Sequence, residues 1–361
     1  MTPLQQILTI ARLELGRVFF SRRSFWVYLI ALFPTVIFLG HAIEAKLRGQ
    51  RWTNNGRIVK AEAINRLENG MDPEEVLRQL GNPVTDFTRT RRARRDDNPD
   101  EKQPETRRYM MYFDGKRRID LRFEDGKLVE RQMRELLNFE DDRRVYGGMF
   151  QFFYLRLGVF FGCLGIFINL FRGEMLDRSL HFWFLAPVKR EVLLLGKYCA
   201  GLAAAGLIFG GGALLSFLAM VLPQDPAEVQ AYWQTVGVSH GFWYVAAAVL
   251  GCVGYGSVFL AAGLLLRNPI IPAIVMLVWE SINGFLPDVM QKLSVLHYLQ
   301  SICPVPAPLP NNVPPLLKML LAPAEPAPVP VAVLGLLALT AAVLFAAMQS
   351  VRRLEINYGA E

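Results

Sequence analysis

The stretch CAGLAAAGLIFGGGALLSFLAMVL, Cys199–Leu222, runs for 24 residues without a charge. A helix of that length rises about 36 Å, enough to cross a hydrocarbon layer of about 30 Å with some tilt. The whole chain leans the same way. Of its 361 residues 52% are hydrophobic and 20% charged, and the mean hydropathy is +0.26. A soluble domain carries more charge and fewer apolar residues than this, so the sequence reads as a membrane protein.

Working outward from Cys199, five further apolar windows of about 20 residues appear. They are Phe25–Ala42, Met149–Phe171, Phe242–Leu266, Pro269–Leu286 and Val329–Met348. The fold class that follows is an α-helical polytopic membrane protein of six transmembrane helices with an N-terminal interfacial helix and an inserted extracytoplasmic α+β domain. Its segments are an interfacial helix 1–22, a first span 23–44, the inserted domain 45–147 and a second span 148–171. An inner loop 172–197, a third span 198–222, an outer loop 223–241 and a fourth span 242–266 follow. The fifth span, 269–288, holds Pro269, Pro272 and Pro287 and reads as broken or re-entrant. A Pro-rich outer loop 289–328, a sixth span 329–349 and a tail 350–361 complete the order.

Lys and Arg in short loops stay on the cytoplasmic side. With the N-terminus inside, the inner segments hold twelve basic residues, among them Arg12, Arg17, Arg172, Lys189, Arg190, Lys197, Arg352 and Arg353. The short outer loops hold only Lys292 and Lys318. Both termini are therefore expected in the cytoplasm. The net charge of +7 does not point to nucleic acid, because 24 of the 39 basic residues lie in the inserted segment among 20 acidic ones and the rest flank spans. Cys163, Cys199, Cys252 and Cys303 form neither a paired framework nor a CxxC motif, so no disulfide scaffold and no metal site is expected. No HExxH, GxSxG or kinase signature occurs, which leaves no catalytic residues to nominate.

At the N-terminus, Leu4, Ile7, Leu8, Ala11, Leu15, Val18 and Phe19 fall at helical spacing. Arg12 and Arg17 lie off that stripe, which describes a helix in the inner interface; the alternative is an uncleaved signal anchor with a long basic lead. In the inserted segment, NGMDPEEVLRQLGNP places Asp72 at an N-cap, Pro73 at the first helical position and Glu75 three residues after the cap, with Gly81, Asn82 and Pro83 as the stop. Ile58–Leu67 also has helical character. Downstream, YMMYFDGKRRIDLRFEDGKLVERQ offers three strands joined by turns at Asp114-Gly115 and Asp125-Gly126. This order of signals over about 70 residues resembles the small lipoprotein of the outer-membrane β-barrel assembly machinery, a likeness of fold only. Between them RTRRARRDDNPDEKQPE reads as a solvated run, or as a docking patch for an anionic lipid or acidic partner.

The inner loop is RGEMLDRSLHFWFLAPVKREVLLLGKY, Arg172–Tyr198. Glu174 and Arg178 are four apart, Leu176, Leu180, Trp183 and Phe184 share an apolar stripe, and Pro187 interrupts before a new helix begins. Such a helix either floats in headgroups with Trp183 as anchor or serves as a handle for a cytoplasmic motor.

An interfacial helix, one span, an extracytoplasmic domain and then this loop between the second and third of six spans resemble the permease subunit of type-2 ABC transporters. The matching marks are Glu174, Ala186-Pro187, Lys189-Arg190 and Gly196-Lys197; the departure is Arg178-Ser179, where many members have Gly-Thr. The resemblance implies an inner loop that docks into a separate cytoplasmic ATPase through Glu174, Asp177, Arg178, Leu180, Phe184 and Pro187. It implies the cytoplasmic (inner) membrane of a bacterium, export as the activity, and a second permease copy, identical or not. The chain itself has no G-x-x-x-x-G-K-[ST], so ATP is used by the partner and no cofactor is bound here. The competing reading is an ATPase-coupled scaffold or mechanotransmitter acting on an extracytoplasmic protein partner without moving a substrate.

Glu280, in MLVWESINGFLP, lies in an apolar span with Asn283 three residues on. A carboxylate there turns toward a partner, a cavity or the interface. Three readings stand: it fixes helix register inside the bundle with Arg156 as a candidate partner, it lines the outward path or gate with Asn283, or the span is re-entrant and Glu280 is wet. Gly158 and Gly162, Gly206 and Gly210, and Ala247 and Gly251 have the spacing of close helix approach, as packing or as path.

Overall fold

The computed structural model describes residues 2–20, 24–55, 58–90, 106–176, 179, 183, 185, 187–266, 270–283, 286–306 and 326–353. Outside them lie the run 91–105, the loop residues Asp177, Arg178, Leu180, Phe184 and Ala186, and residues 307–325 of the Pro-rich segment. The chain divides into two units, one of Met1–Phe38 with Glu140–Glu361 and one of Leu39–Phe139.

The larger unit is helical. Among the described residues five segments are long and apolar enough to cross a membrane: Phe25–Asn54, Phe139–Met175, Arg190–Val221, Pro226–Leu265 and Val329–Arg352. This is a polytopic helical membrane protein. Helix α1 (Pro3–Phe20) precedes α2 (Ser24–Asn55), which carries Pro34 inside it. The second long segment is α5 (Phe139–Met149), a π-helical stretch Phe150–Val159, and α6 (Phe160–Leu176). Then come α7 (Arg190–Val221), α8 (Pro226–Tyr232) and α9 (Val238–Leu265). Short helices α10 (Ile270–Ser281), α11 (Asp288–Gln291) and α12 (Val295–Ile302) lead toward α13 (Val329–Arg352).

Two expectations change here. Beyond a short turn at 223–225 the expected loop 223–241 is helical: α8 and a π-helical turn at Trp233–Gly237 continue into α9. The expected fifth span is only the 12 residues of α10, about 18 Å of helix against about 30 Å of hydrocarbon. Helix α12, inside the expected Pro-rich loop, buries Val295, Leu296, Leu299 and Ile302.

Small residues let these helices meet closely. A Cβ on Gly212 would lie 2.6 Å from the Ala31 carbonyl oxygen, and one on Gly263 would lie 2.9 Å from that of Ile168. Of the glycines flagged by spacing, Gly158, Gly162, Gly210 and Gly251 pack on neighbouring side chains, whereas Gly206 has open space. Buried tyrosines satisfy their hydroxyls on helix carbonyls: Tyr154 donates to Phe209 O at 2.7 Å and Tyr146 to Ala213 O at 3.2 Å.

In the smaller unit, α3 (Ala61–Asn65) and α4 (Pro73–Leu80) pack on an antiparallel sheet ordered β1 (Thr85–Thr90), β2 (Thr106–Phe113), β3 (Arg117–Glu124), β4 (Lys127–Glu135). The core is Val76, Leu80, Met110, Tyr112, Ile119, Leu121, Phe123 and Leu128, alternating along the strands as one covered face requires. The turn between β3 and β4 has Asp125 at φ 49° and Gly126 at φ 78° with Glu124 opposite Lys127, the two-residue geometry whose twist suits a hairpin. Strand β1 is an addition to the three expected. Asp72 precedes α4 as expected, but its side chain makes no cap hydrogen bond; Pro73, which lacks an N–H, and Asp72 O, which accepts from Glu75 and Val76 N at 3.1 Å each, start the helix instead.

Candidate functional site

Helix α1 lies directly on the start of α7 because of Gly196, where a Cβ would come within 2.8 Å of the Ile10 side chain. Ile10, Val192 and Leu193 form a small apolar cluster there, joined by Ile7, Trp183 and Val188. The buried residues of α1 are Ile10 and Glu14, flanked by half-buried Ile7, Ala11, Leu15, Val18 and Phe19, while Leu4 and Leu8 of the expected stripe are exposed.

One residue past Gly196, Lys197 is wholly buried. Its ammonium donates to Glu14 Oε1 at 2.7 Å and to Glu174 Oε1 at 2.8 Å, and it sits 5.2 Å from the Trp183 ring and 5.6 Å from the Phe171 ring. The Trp183 indole N–H donates to the same Glu174 oxygen at 3.0 Å, and Arg17 approaches it at 3.6 Å from a mostly exposed position. Glu174 Oε2 has no partner among the described residues. Taking such charges out of water is expensive and tolerable only when they are paired. The pairing ties three elements together: α1 through Glu14, the end of α6 through Glu174, and α7 through Lys197.

Glu174 is thus turned into its own chain, with 7% of its surface exposed. The loop is reached through Ser179, whose N–H donates to the Glu174 carbonyl at 2.9 Å, and through Trp183. Beyond them Leu185 is 78% exposed and Pro187 is exposed. Arg190 donates to the Val351 and Arg352 carbonyls at 3.4 and 3.2 Å, and Arg352 donates to Glu191 at 2.5 Å, which fastens the end of α13 to the same base.

Glu280 lies at the end of α10 with 1% of its surface exposed. Its Oε1 accepts from Val295 N at 3.0 Å, and its Oε2 accepts from the Ser294 hydroxyl and from Leu296 N at 3.3 Å. These are free N–H groups of the first turn of α12, where a carboxylate is favoured. No ion pair joins Glu280 to Arg156 among the described residues. Asn283 is buried with Oδ1 unpartnered.

Glu14 was not singled out from sequence, and Lys197 stood there as an inner basic charge and as part of the Gly196-Lys197 mark of the resemblance, not as the centre of a buried cluster. The signal for Glu14 was available: an acid at i+7 from Ile7 on an otherwise apolar stripe. No family model matches the chain, and no curated protein and no solved structure matches it either.

Proposed function

We propose that the chain is the permease subunit of an ABC exporter of the type-2 kind, with six spans, both termini in the cytoplasm, seated in the inner membrane of a bacterium. It works with a separate cytoplasmic ATPase and a second permease copy. The observation that supports this reading best is the Glu14–Lys197–Glu174 cluster. A push on the loop after Glu174 is carried through paired buried charges into α1 and α7 together, because neither carboxylate can leave Lys197 without stranding a charge. In this reading Asp177, Arg178, Leu180, Phe184 and Pro187 meet the ATPase, and Glu174 holds the loop in position from behind. Glu280 and Asn283, where α10 gives way to α11 and α12, stand at the outward gate. Apolar anchors of such a contact carry about 2 kcal/mol or more each. Leu180→Ala with Phe184→Ala is therefore expected to abolish co-purification of the ATPase and ATP-dependent activity in vesicles, and unchanged co-purification would refute the coupling role. Substrate-stimulated ATP hydrolysis in vesicles is the expected result for an exporter, and its absence with a docked ATPase would mark a mechanical scaffold. For the six-span topology, Asn98→Cys in a Cys-free chain should react with an impermeant thiol reagent from outside and Arg178→Cys only after permeabilisation. Reaction of Arg178→Cys in intact cells would overturn it.

A further inference from the structure

The turn between α7 and α8 holds a cavity that the proposed function leaves unused. It has a volume of about 500 Å³ and opens to the surface, within the size range of small-ligand sites. Leu222, Val229 and Trp233 wall it, and Gln224, Gln230 and Gln234 supply its polar atoms; no charged side chain among the described residues lines it. Its place is the edge of the apolar layer. The candidate span that begins at Pro226 runs 40 residues, about 60 Å of helix where about 30 Å crosses the hydrocarbon. The first turns of α8, with Glu228 and Gln230 exposed, are the part that stands among headgroups, where tryptophan is favoured.

The lining is ordered by the helix that carries it. Val229 and Trp233 are four residues apart, as are Gln230 and Gln234, which sets an apolar row beside an amide row on one face. The Trp233 ring meets the fully buried Phe217 edge-on with centroids 5.9 Å apart, and Gly237 leaves it room, since a Cβ there would lie 3.0 Å from the indole. Gln224 is buried, and its Nε2 donates to Asp142 Oδ2 at 2.6 Å and to Met220 O at 3.4 Å, which fixes the amide and leaves Oε1 as an unused acceptor. The side-chain amides of the exposed Gln230 and Gln234, like the Trp233 indole N–H, have no partner among the described residues.

We propose that this cavity binds the neutral, hydroxyl-rich headgroup of a glycosylated lipid. A sugar hydroxyl both donates and accepts, and so does each amide, while the indole offers an N–H and an apolar face for the ring of the sugar. A phosphate or ammonium headgroup would find no opposite charge in this lining. The lipid is favoured over a free sugar by what adjoins the cavity. Leu207, Leu214, Leu218 and Leu222 recur at steps of seven, four and four residues on one face of α7 and its end, and all but the half-buried Leu218 are exposed. An acyl chain laid along them gains apolar burial that a free sugar in an open cavity lacks. The inference stands apart from the ATPase partnership and from the direction of the spans, and is tested without either.

The test is native mass spectrometry of the purified full chain in a zwitterionic detergent without sugar, with added monoglucosyldiacylglycerol, diacylglycerol, phosphatidylglycerol or glucose. The wild type is expected to retain the glucosyl lipid over the other two lipids. Gln230→Ala with Gln234→Ala, both at exposed positions, should lower that retention about tenfold and leave Tm and phosphatidylglycerol retention unchanged. If the double variant fails to fold, Gln234→Ala alone, expected to lower retention about threefold, decides. Equal retention of the three lipids by the wild type, or wild-type retention of the glucosyl lipid by a folded variant, would overturn the site. Displacement of the glucosyl lipid by millimolar glucose would overturn the lipid as the source of the headgroup.

Discussion

Replacing Lys197 by Met keeps the length of the side chain and removes its charge. The lysine is fully buried, 2.7 Å from Glu14 and 2.8 Å from Glu174. Without it two carboxylates share a closed site whose remaining donors are the Trp183 indole at 3.0 Å and the largely exposed Arg17 at 3.6 Å. Removing one partner of a buried pair costs about 3–5 kcal/mol. In a unit of this size each kcal/mol moves Tm by about 2–4 °C, so Lys197→Met should lower it by about 6–20 °C. Thermal unfolding of the purified chain in detergent, followed by tryptophan fluorescence, reads the change. Adding Glu14→Gln and Glu174→Gln to Lys197→Met removes the stranded charges while keeping their shape, and should restore at least half of the loss. A single variant within about 2 °C of wild type, or a triple variant no more stable than the single, would refute the claim that paired charge holds this junction.

Two further expectations follow from the geometry. Arg108 donates from Nε at 2.9 Å and from NH2 at 2.6 Å to the two oxygens of Asp86 and holds its carboxyl below the usual range. A depressed carboxyl contributes stability that is present above the unfolded value of about 3.9 and lost as pH falls through the folded value. Protection of β1 and β2 amides should fall with acidification in that window, and Asp86→Asn should remove the dependence. Both side chains are 32% exposed, so the cost at neutral pH should be no more than about 1 kcal/mol; an unchanged acid profile would sink this account. Gly212→Ala, whose Cβ would meet the Ala31 carbonyl oxygen at 2.6 Å, should cost about 1–3 kcal/mol. Gly206→Ala, with nothing within 4 Å, should be neutral or stabilising by helix propensity, and equal effects from the two would be inconsistent with close approach at Gly212.

Local signals in the sequence were sufficient where the determinant is local. The charge-free run after Cys199 and the Asp72-Pro73 start with its Gly81 stop each locate an element without reference to the rest of the chain. Strand β1, TDFTRT, has no such mark: its apolar content is a single Phe87, 57% exposed, and it exists because β2 offers an edge to pair with. The Lys197 cluster was hidden for a related reason. Basic residues near span ends are common as topology signals, and only the fold brings Glu14, 183 residues away in sequence, to the same point. Glu280 was legible as an anomaly, but the partner it found is the backbone of α12, which no side-chain pattern announces.

The wide turn in the second long segment fixes a phase. Tyr146, Phe150, Tyr154, Val159, Cys163 and Phe167 are all buried, at steps of four, four, five, four and four residues. On an unbroken α-helix, turning about 100° per residue, that series would drift steadily round the axis and carry one end out of the bundle. The π-helical stretch takes up the extra residue midway, so both halves face the same neighbours. Deleting one residue between 150 and 159 would let the stretch close into an α-helix with both halves still in phase, whereas deleting one residue from α6 would turn the remainder of that helix by about 100°. The number of residues in this span is as much a part of its information as their identity.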